Sequence, residues 1–414
     1  MSGANLPEGY LPNVLVPRSV IKAPDRFGGL TERDCVRGDL LIRDGRVFGL
    51  AAPSNTIPPR MVLPKFAEPH VHLDKCHSVD RIKNVGGNLH AAIAAQFEDK
   101  THWTNADIRA RAGQGLDELI RAGCGIVRSH VDWHRGAEAD IPPLAWHVLH
   151  ELAQERRAEI ALQLSPLIGI ELLADADFAD HVARTSAQAG GALGAFVFDH
   201  PKRAEGIKQA FVAADRYSIP LDFHVDEGLM PGLDGLSLIA DTANEMRFQG
   251  PVLCGHCCSL MNLTADALHR LIDKVLRAGL SIVSLPTTNL YLQGREGGTP
   301  NRRGITRIAE LRAAGVPVSV GTDNVRDAFC PIGRHDPLSS LASAVLAAHL
   351  DPPLGDHLPM ITTDAARGMG FAPVFVDDAA AADLQIFDVG STSALLADAP
   401  PPQPVSSPLL GDTS

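Results

Sequence analysis

Short apolar runs rich in β-branched residues alternate with longer stretches of helical periodicity along most of the chain. The runs are "KFAEPHVHL" (65–73), "GIVRSHVD" (125–132), "IALQLSPL" (160–167), "GALGAFVF" (191–198), "PLDFHVDE" (220–227), "PVLCGHCC" (251–258), "SIVSLPTT" (281–288) and "VPVSVGTDN" (316–324). Between them lie helix signals. In "TNADIRARAGQGLDELIRAGCG", Thr104 is an N-cap with Asp107 three residues on, Ile108, Leu116 and Leu119 form a stripe, and Gly123 is a stop. "LTADALHRLIDKVLRAGL" repeats the pattern from Thr264 to Gly279. Eight buried strands alternating with helices predict an α/β fold, a parallel (β/α)8 TIM barrel over 61–370, with its active site at the C-terminal strand ends.

The flanks read differently. "DLLIRDGRVFGLAAP" is two short strands around the turn Asp44-Gly45, so residues 1–60 are expected to begin a small β lobe. The strand candidate "ADLQIFDVG" is too short to fold alone, and 371–390 is expected to complete that lobe as a β-sandwich. From 391 to 414 the chain is rich in Pro, Ser and Ala without periodicity, which predicts a disordered tail.

Composition narrows the function. Of 414 residues, 45% are hydrophobic but only 5% aromatic, so the core is aliphatic. A net charge of −12 and the lack of any basic run argue against a nucleic-acid partner. No apolar run approaches the roughly 20 residues of a membrane span, and no leader pattern opens the chain. A cytoplasmic protein acting on a small molecule is expected, and homo-oligomerisation is left open. The seven cysteines are scattered, and Cys254, Cys257 and Cys258 lack the second pair of a structural zinc site. They are expected to be buried thiols.

The chemistry gathers at the strand ends. His70 and His72 close the first run, His130 and Asp132 the second, His224, Asp226 and Glu227 the fifth, His256 the sixth and Asp323 the eighth. Side chains alternate along a strand, so His70 and His72 share a face. A lone histidine is more often structural, which is the expectation for His130, His90, His102, His134, His147 and His150. The order H-x-H, H, H, D over four strand ends is a different matter. Imidazoles and a carboxylate suit one Zn²⁺ or Fe²⁺ and leave a position for water, which becomes hydroxide near neutral pH. Glu227, three residues past His224, is placed to shuttle a proton.

"EPHVHLDK", "FHVDE", "GHCCS", "LYLQGREGGTPNRRGITRIAEL" and "GTDNVRD" together resemble the amidohydrolase superfamily and its cytosine deaminase-like branch, in order and over about 11–390. The resemblance implies that His70, His72, His224 and Asp323 are metal ligands and that Asp323 also takes a proton. It implies that Glu227 protonates the ring nitrogen, that His256 polarises the attacking hydroxide, and that Gln293 borders the pocket. The fourth strand ends in Asp199 and His200 with Lys202 beyond, where binuclear relatives carry a bridging lysine, so a single metal is expected. Lys75 is expected at the pocket rim.

Three departures bear on the substrate. Leu167 stands where a cytosine-reading glutamine is expected, Asn324 replaces an aspartate, and Phe329 replaces a tryptophan. A site must pair the polar groups it desolvates, so cytosine is not the expected substrate. The expectation is a metal-dependent hydrolytic deaminase of a pyrimidine-, pterin- or triazine-like heterocycle. Its rivals are hydrolysis of a cyclic amide or ring N-alkylamine, and an inactive barrel that binds a metabolite.

Overall fold

In this computed structural model, which describes residues 9–83, 85–134 and 141–406, the strands fall into three groups. β1 (Gly9–Pro17), β2 (Leu30–Glu32), β3 (Cys35–Arg43), β4 (Arg46–Ala51) and β5 (Arg60–Pro64) come first. Next come β6 (Phe66–Val71), β7 (Cys124–Asp132), β8 (Ala161–Leu167), β9 (Leu193–Val197), β10 (Leu221–Val225), β11 (Val252–His256), β12 (Ser281–Ser284) and β13 (Val318–Val320). β14 (Leu384–Phe387) and β15 (Gln403–Pro404) close the chain.

The first and last groups pair in the order β15-β14-β5-β1-β3-β2, with β4 also on β3. Only β1 and β5 run parallel. Asp44 and Gly45 hold φ of 50° and 74°, the left-handed pair that a two-residue hairpin needs between β3 and β4. The sandwich expectation is corrected here: the strands form one hydrogen-bonded sheet rather than two. β14 lies antiparallel on β5, which draws the far end of the sequence into the sheet. The structureless expectation is also corrected over 391–406. Ser391 caps the helix Thr392–Asp398 by accepting from the Ala394 amide, and Leu395 is buried. The Pro- and Ser-rich composition masked that cap and its docking residue. Residues 407–414 lie outside the described residues.

Each of the eight runs predicted as strands overlaps one of β6 to β13, β7 starting one residue before its run. β6, β7 and β8 form one parallel sheet and β9 to β13 another. Parallel bridges Gly169–Phe196 and Val71–Asp323 link the two sheets at both edges. The seventh run stops as a strand at Ser284, because Pro286 has no N–H for a ladder and instead opens the helix Pro286–Leu292. The helices Asn105–Ala122 and Ala265–Arg277 follow their predicted caps, Thr104 and Thr264. Gly123 ends the first in the left-handed conformation. All seven cysteines are buried and unpaired, as expected. Burial pushes the Cys254, Cys257 and Cys258 thiols well up. Among the described residues no helix is long and apolar enough to cross a membrane.

Candidate metal and substrate site

The C-terminal ends of the parallel strands bring distant residues together. β6 delivers His70, with His72 just past it, and their ring centroids lie 5.3 Å apart. β10 delivers His224, whose Nε2 stands 3.4 Å from His72 Nε2. Asp323 follows β13; its amide donates to the His70 carbonyl at 2.8 Å, and its Oδ1 lies 3.2 Å from His72 Nε2 and 3.5 Å from His70 Nε2. His256 ends β11, its ring 5.1 Å from that of His224. His256 and Asp323 hold φ of 69° and 58°, unusual backbone for non-glycine residues and of a kind that clusters at functional sites.

These groups are buried but unsatisfied. Both ring nitrogens of His70, Nδ1 of His72 and His224, Nε2 of His256 and both oxygens of Asp323 have no hydrogen-bond partner. Burial holds the His70, His72 and His224 imidazoles well below their ordinary pKa, helped by neighbouring cationic or imidazole groups, and brings His256 down to about 4. Neutral rings keep lone pairs free. Ligand atoms of His70, His72, His130 and His224 lie within 4.8 Å of one another, as do those of His70, His256 and Asp323. The donor set fits a divalent cation such as zinc or iron.

His130, expected to be structural, sits inside this cluster with its ring 4.1 Å from that of His70. It also has a structural tie, because its Nε2 lies 2.9 Å from Asp222 Oδ1 and Arg128 holds the other oxygen at 2.6 Å. Asp226 points away and caps the helix Gly235–Met246 through the Gly235 and Leu236 amides. Asp199, His200 and Lys202 are outside the cluster; Lys202 is exposed and Asp199 pairs with Arg203.

A cavity of about 250 Å³ opens beside the cluster and is lined by His72, His224, Glu227, His256, Asp323 and Asn324 at one end. Burial raises the Glu227 carboxyl well above its ordinary range, and the nearby Asp323 adds to this. Asn289 Nδ2 lies 3.1 Å from His256 Nδ1. Leu167 and Phe329 line the cavity, and Lys75, fully buried, ties Asp132 at 2.7 Å below the Phe329 ring. Asn324 reaches the cavity, but its amide donates to Asp327 at 2.7 Å. Gln293 is a correction. The helix from Pro286 carries it behind Glu227, whose carbonyl it approaches at 3.5 Å, and it does not line the cavity.

Sequence reasoning missed the far wall. The helix Leu89–Asp99 turns Leu89, Ile93, Gln96 and Phe97 toward the cavity, and the segment after β8 adds Glu171. His134, expected to be structural, also lines it. The helical spacing of 89, 93, 96 and 97 was the available signal.

Residues 86–406 match the amidohydrolase family, and the chain belongs to it. A pterin deaminase from Rhizobium rhizogenes is 33% identical over 381 residues, which are 89% of this chain and 85% of that protein. Among solved structures, 5-methylcytosine deaminase from Klebsiella pneumoniae superposes with a TM-score of 0.77 at 24% identity, covering 94% of each chain. N-isopropylammelide isopropylaminohydrolase from Burkholderia multivorans gives 0.70 at 21% identity, covering 94% of this chain and 96% of that one.

Proposed function

We propose that this chain is a metal-dependent hydrolase that deaminates a pterin-like amino-heterocycle and releases ammonia. The observation that carries the proposal is the convergence of unpartnered, neutral imidazole nitrogens and the Asp323 carboxylate at one end of a cavity that also holds Glu227. We read the two parallel sheets as one closed (β/α)8 barrel, supported by the bridges at both sheet edges. The pterin class is supported by the 33% identical relative and by the loss of a polar reader at Leu167.

His70, His72, His224 and Asp323 would hold the cation, zinc or iron. When bound, such an ion supplies an acidified water that is nucleophilic at neutral pH. The protein's own groups do the rest. Glu227, whose carboxyl burial pushes well above its ordinary range, delivers a proton to the ring nitrogen beside the amino-bearing carbon. Asn289, donating to His256 Nδ1, leaves the ring hydrogen on Nε2, where it donates to the oxygen that adds to that carbon. Asp323 accepts a proton released from the attacking water. Asp323 then passes its proton to the amino nitrogen, which leaves as ammonia while the tetrahedral carbon collapses to the carbonyl and its hydroxyl proton returns to Glu227. The absence of a nucleic-acid partner is proposed on the acidic composition, and a cytoplasmic location on the seven free thiols.

The test is a panel of pterins, aminopyrimidines, aminopurines and aminotriazines, assayed for ammonia and by mass, with His224→Asn as control. Ammonia and an intact oxo-ring product are expected from a pterin. Silence across the panel from enzyme of verified metal content rejects deamination, and release of an alkylamine instead points to ring N-dealkylation.

A further inference from the structure

The far wall of the cavity carries polar groups that the proposed chemistry does not use. Gln96 is 2% exposed, lines the cavity, and has neither amide atom hydrogen-bonded. Glu171 lines the same cavity, and its Oε2 is buried without a partner. Its carboxylate folds over Gly169: a Cβ built there would meet Oε2 at 2.5 Å. Leaving a buried polar group unpaired costs about 1–3 kcal/mol, so such groups in native proteins await a partner. Two lining one cavity, together with the apolar Leu89, Ile93 and Phe97, define a place for a polar-edged ring.

We propose that Gln96 and Glu171 form the subsite that reads a ring amide of the substrate. The inference rests on the deaminase reading and narrows its substrate class. A carboxamide presents one donor and one acceptor side by side, the complement of a lactam's adjacent N–H and C=O. Glu171, as a carboxylate, accepts a further N–H. The other candidates for this role are spent, since Leu167 is apolar and the Asn324 amide is committed to Asp327. The class selected is an amino-heterocycle with an in-ring lactam, such as a 2-amino-4-oxo bicycle. An aminotriazine without ring N–H or C=O would leave the Gln96 amide unpaired and is selected against.

The experiment compares 2-amino-4-oxopteridine with 2-aminopteridine, which lacks the oxo group, as substrates of wild type, Gln96→Leu and Gly169→Ala. Gly169→Ala displaces the Glu171 carboxylate without touching Gln96, and thermal melts verify that both variants fold. For the oxo substrate, Gln96→Leu is expected to lower kcat/KM by about 10–100-fold, mainly through KM. Turnover of the analogue should change only a few-fold. Gly169→Ala should lower oxo-substrate turnover in the same sense. Pterin fluorescence titrated into Asp323→Asn, with and without Gln96→Leu, gives binding apart from turnover, and a weaker Kd is expected with the leucine. Equal losses on both substrates, or unchanged pterin binding, overturn the subsite assignment. Lack of ammonia from wild type on every substrate fails the deaminase reading instead, so the two failures are distinguishable.

Discussion

Among the described residues, ligand-type atoms lie within 4.8 Å of one another in two overlapping sets at the strand mouth and in a third set elsewhere, and the two regions differ in what those atoms already touch. At the strand mouth, both Asp323 oxygens and both His70 nitrogens have no hydrogen bond. In the group His77, Glu118 and His335, the carboxylate is taken. His335 Nδ1 lies 2.9 Å from Glu118 Oε2, His77 Nε2 lies 3.3 Å from the same oxygen, and Arg326 holds Oε1 at 2.5 Å. Burial pushes the Glu118 carboxyl up, but His335 and His77 outweigh it and hold it well below the usual range. Proximity is therefore shared by both groups. His77 Nε2 and His335 Nε2 also lack hydrogen bonds, so the difference lies in the carboxylate: Asp323 accepts none, whereas Glu118 accepts from Arg326 and pairs with His335 Nδ1, and a cation needs free carboxylate lone pairs.

The largest effect expected from this contrast is in metal content. Purified enzyme should hold one divalent ion per chain. His224→Asn should lose it along with detectable ammonia release, whereas His335→Asn should keep the ion and most activity. Elemental analysis decides, and two ions per wild-type chain, or loss of the ion in His335→Asn, would break the distinction. Next in size is Glu227→Gln, which removes a proton donor while leaving the imidazoles intact. It should lower kcat by about 10²–10⁴-fold with the ion retained. A variant that instead loses metal would make Glu227 a ligand.

A smaller but structural effect is expected behind the cluster. Asp222 sits between Arg128 and His130, with Arg128 and Asp222 side chains both 0% exposed. Asp222→Asn leaves the Arg128 guanidinium buried without its counter-charge, a change of about 3–5 kcal/mol in denaturant unfolding. It also frees the His130 ring and should loosen the ion by about 10–100-fold, as outer partners of metal sites do. If metal affinity is unchanged while stability falls, His130 serves the fold alone.

The strand-mouth group was legible because β-strands translate sequence into geometry directly. His70 and His72 share a face by alternation, and each further proposed ligand stands at the end of a readable apolar run. The far wall was not. Gln96 lies on a helix where a glutamine ordinarily faces water, and only the docking of the helix Leu89–Asp99 against the cavity turns it inward. Glu171 lies in the turn that follows the Gly169–Phe196 bridge, and no periodicity encodes where that turn points it. Gln293 failed in the opposite direction: a helix opening at Pro286 moved it behind Glu227. His130 shows a third limit, since a lone histidine gains its meaning from the ring of His70 beside it, and that residue lies on another strand.

The smallest effect tests the satisfied group by its pH dependence. Because the folded Glu118 carboxyl is depressed, its contribution is fully present above the reference value of 4.5 and is lost as pH falls from there toward the folded value. His335 is held below its ordinary pKa by burial, so it remains a neutral donor across the neutral range and does not move this window. Glu118→Gln keeps the shape but removes the charge that His335, His77 and Arg326 address. The loss should be about 1–3 kcal/mol near neutral pH, toward the lower end because the Arg326 side chain is 39% exposed. Urea unfolding of wild type and variant should then differ by a constant amount from about pH 8 to 6 and converge under acid. A gap that persists undiminished at about pH 3 would mean that Glu118 acts by packing, and the contrast between a charged hub and an open ligand set would lose its electrostatic basis.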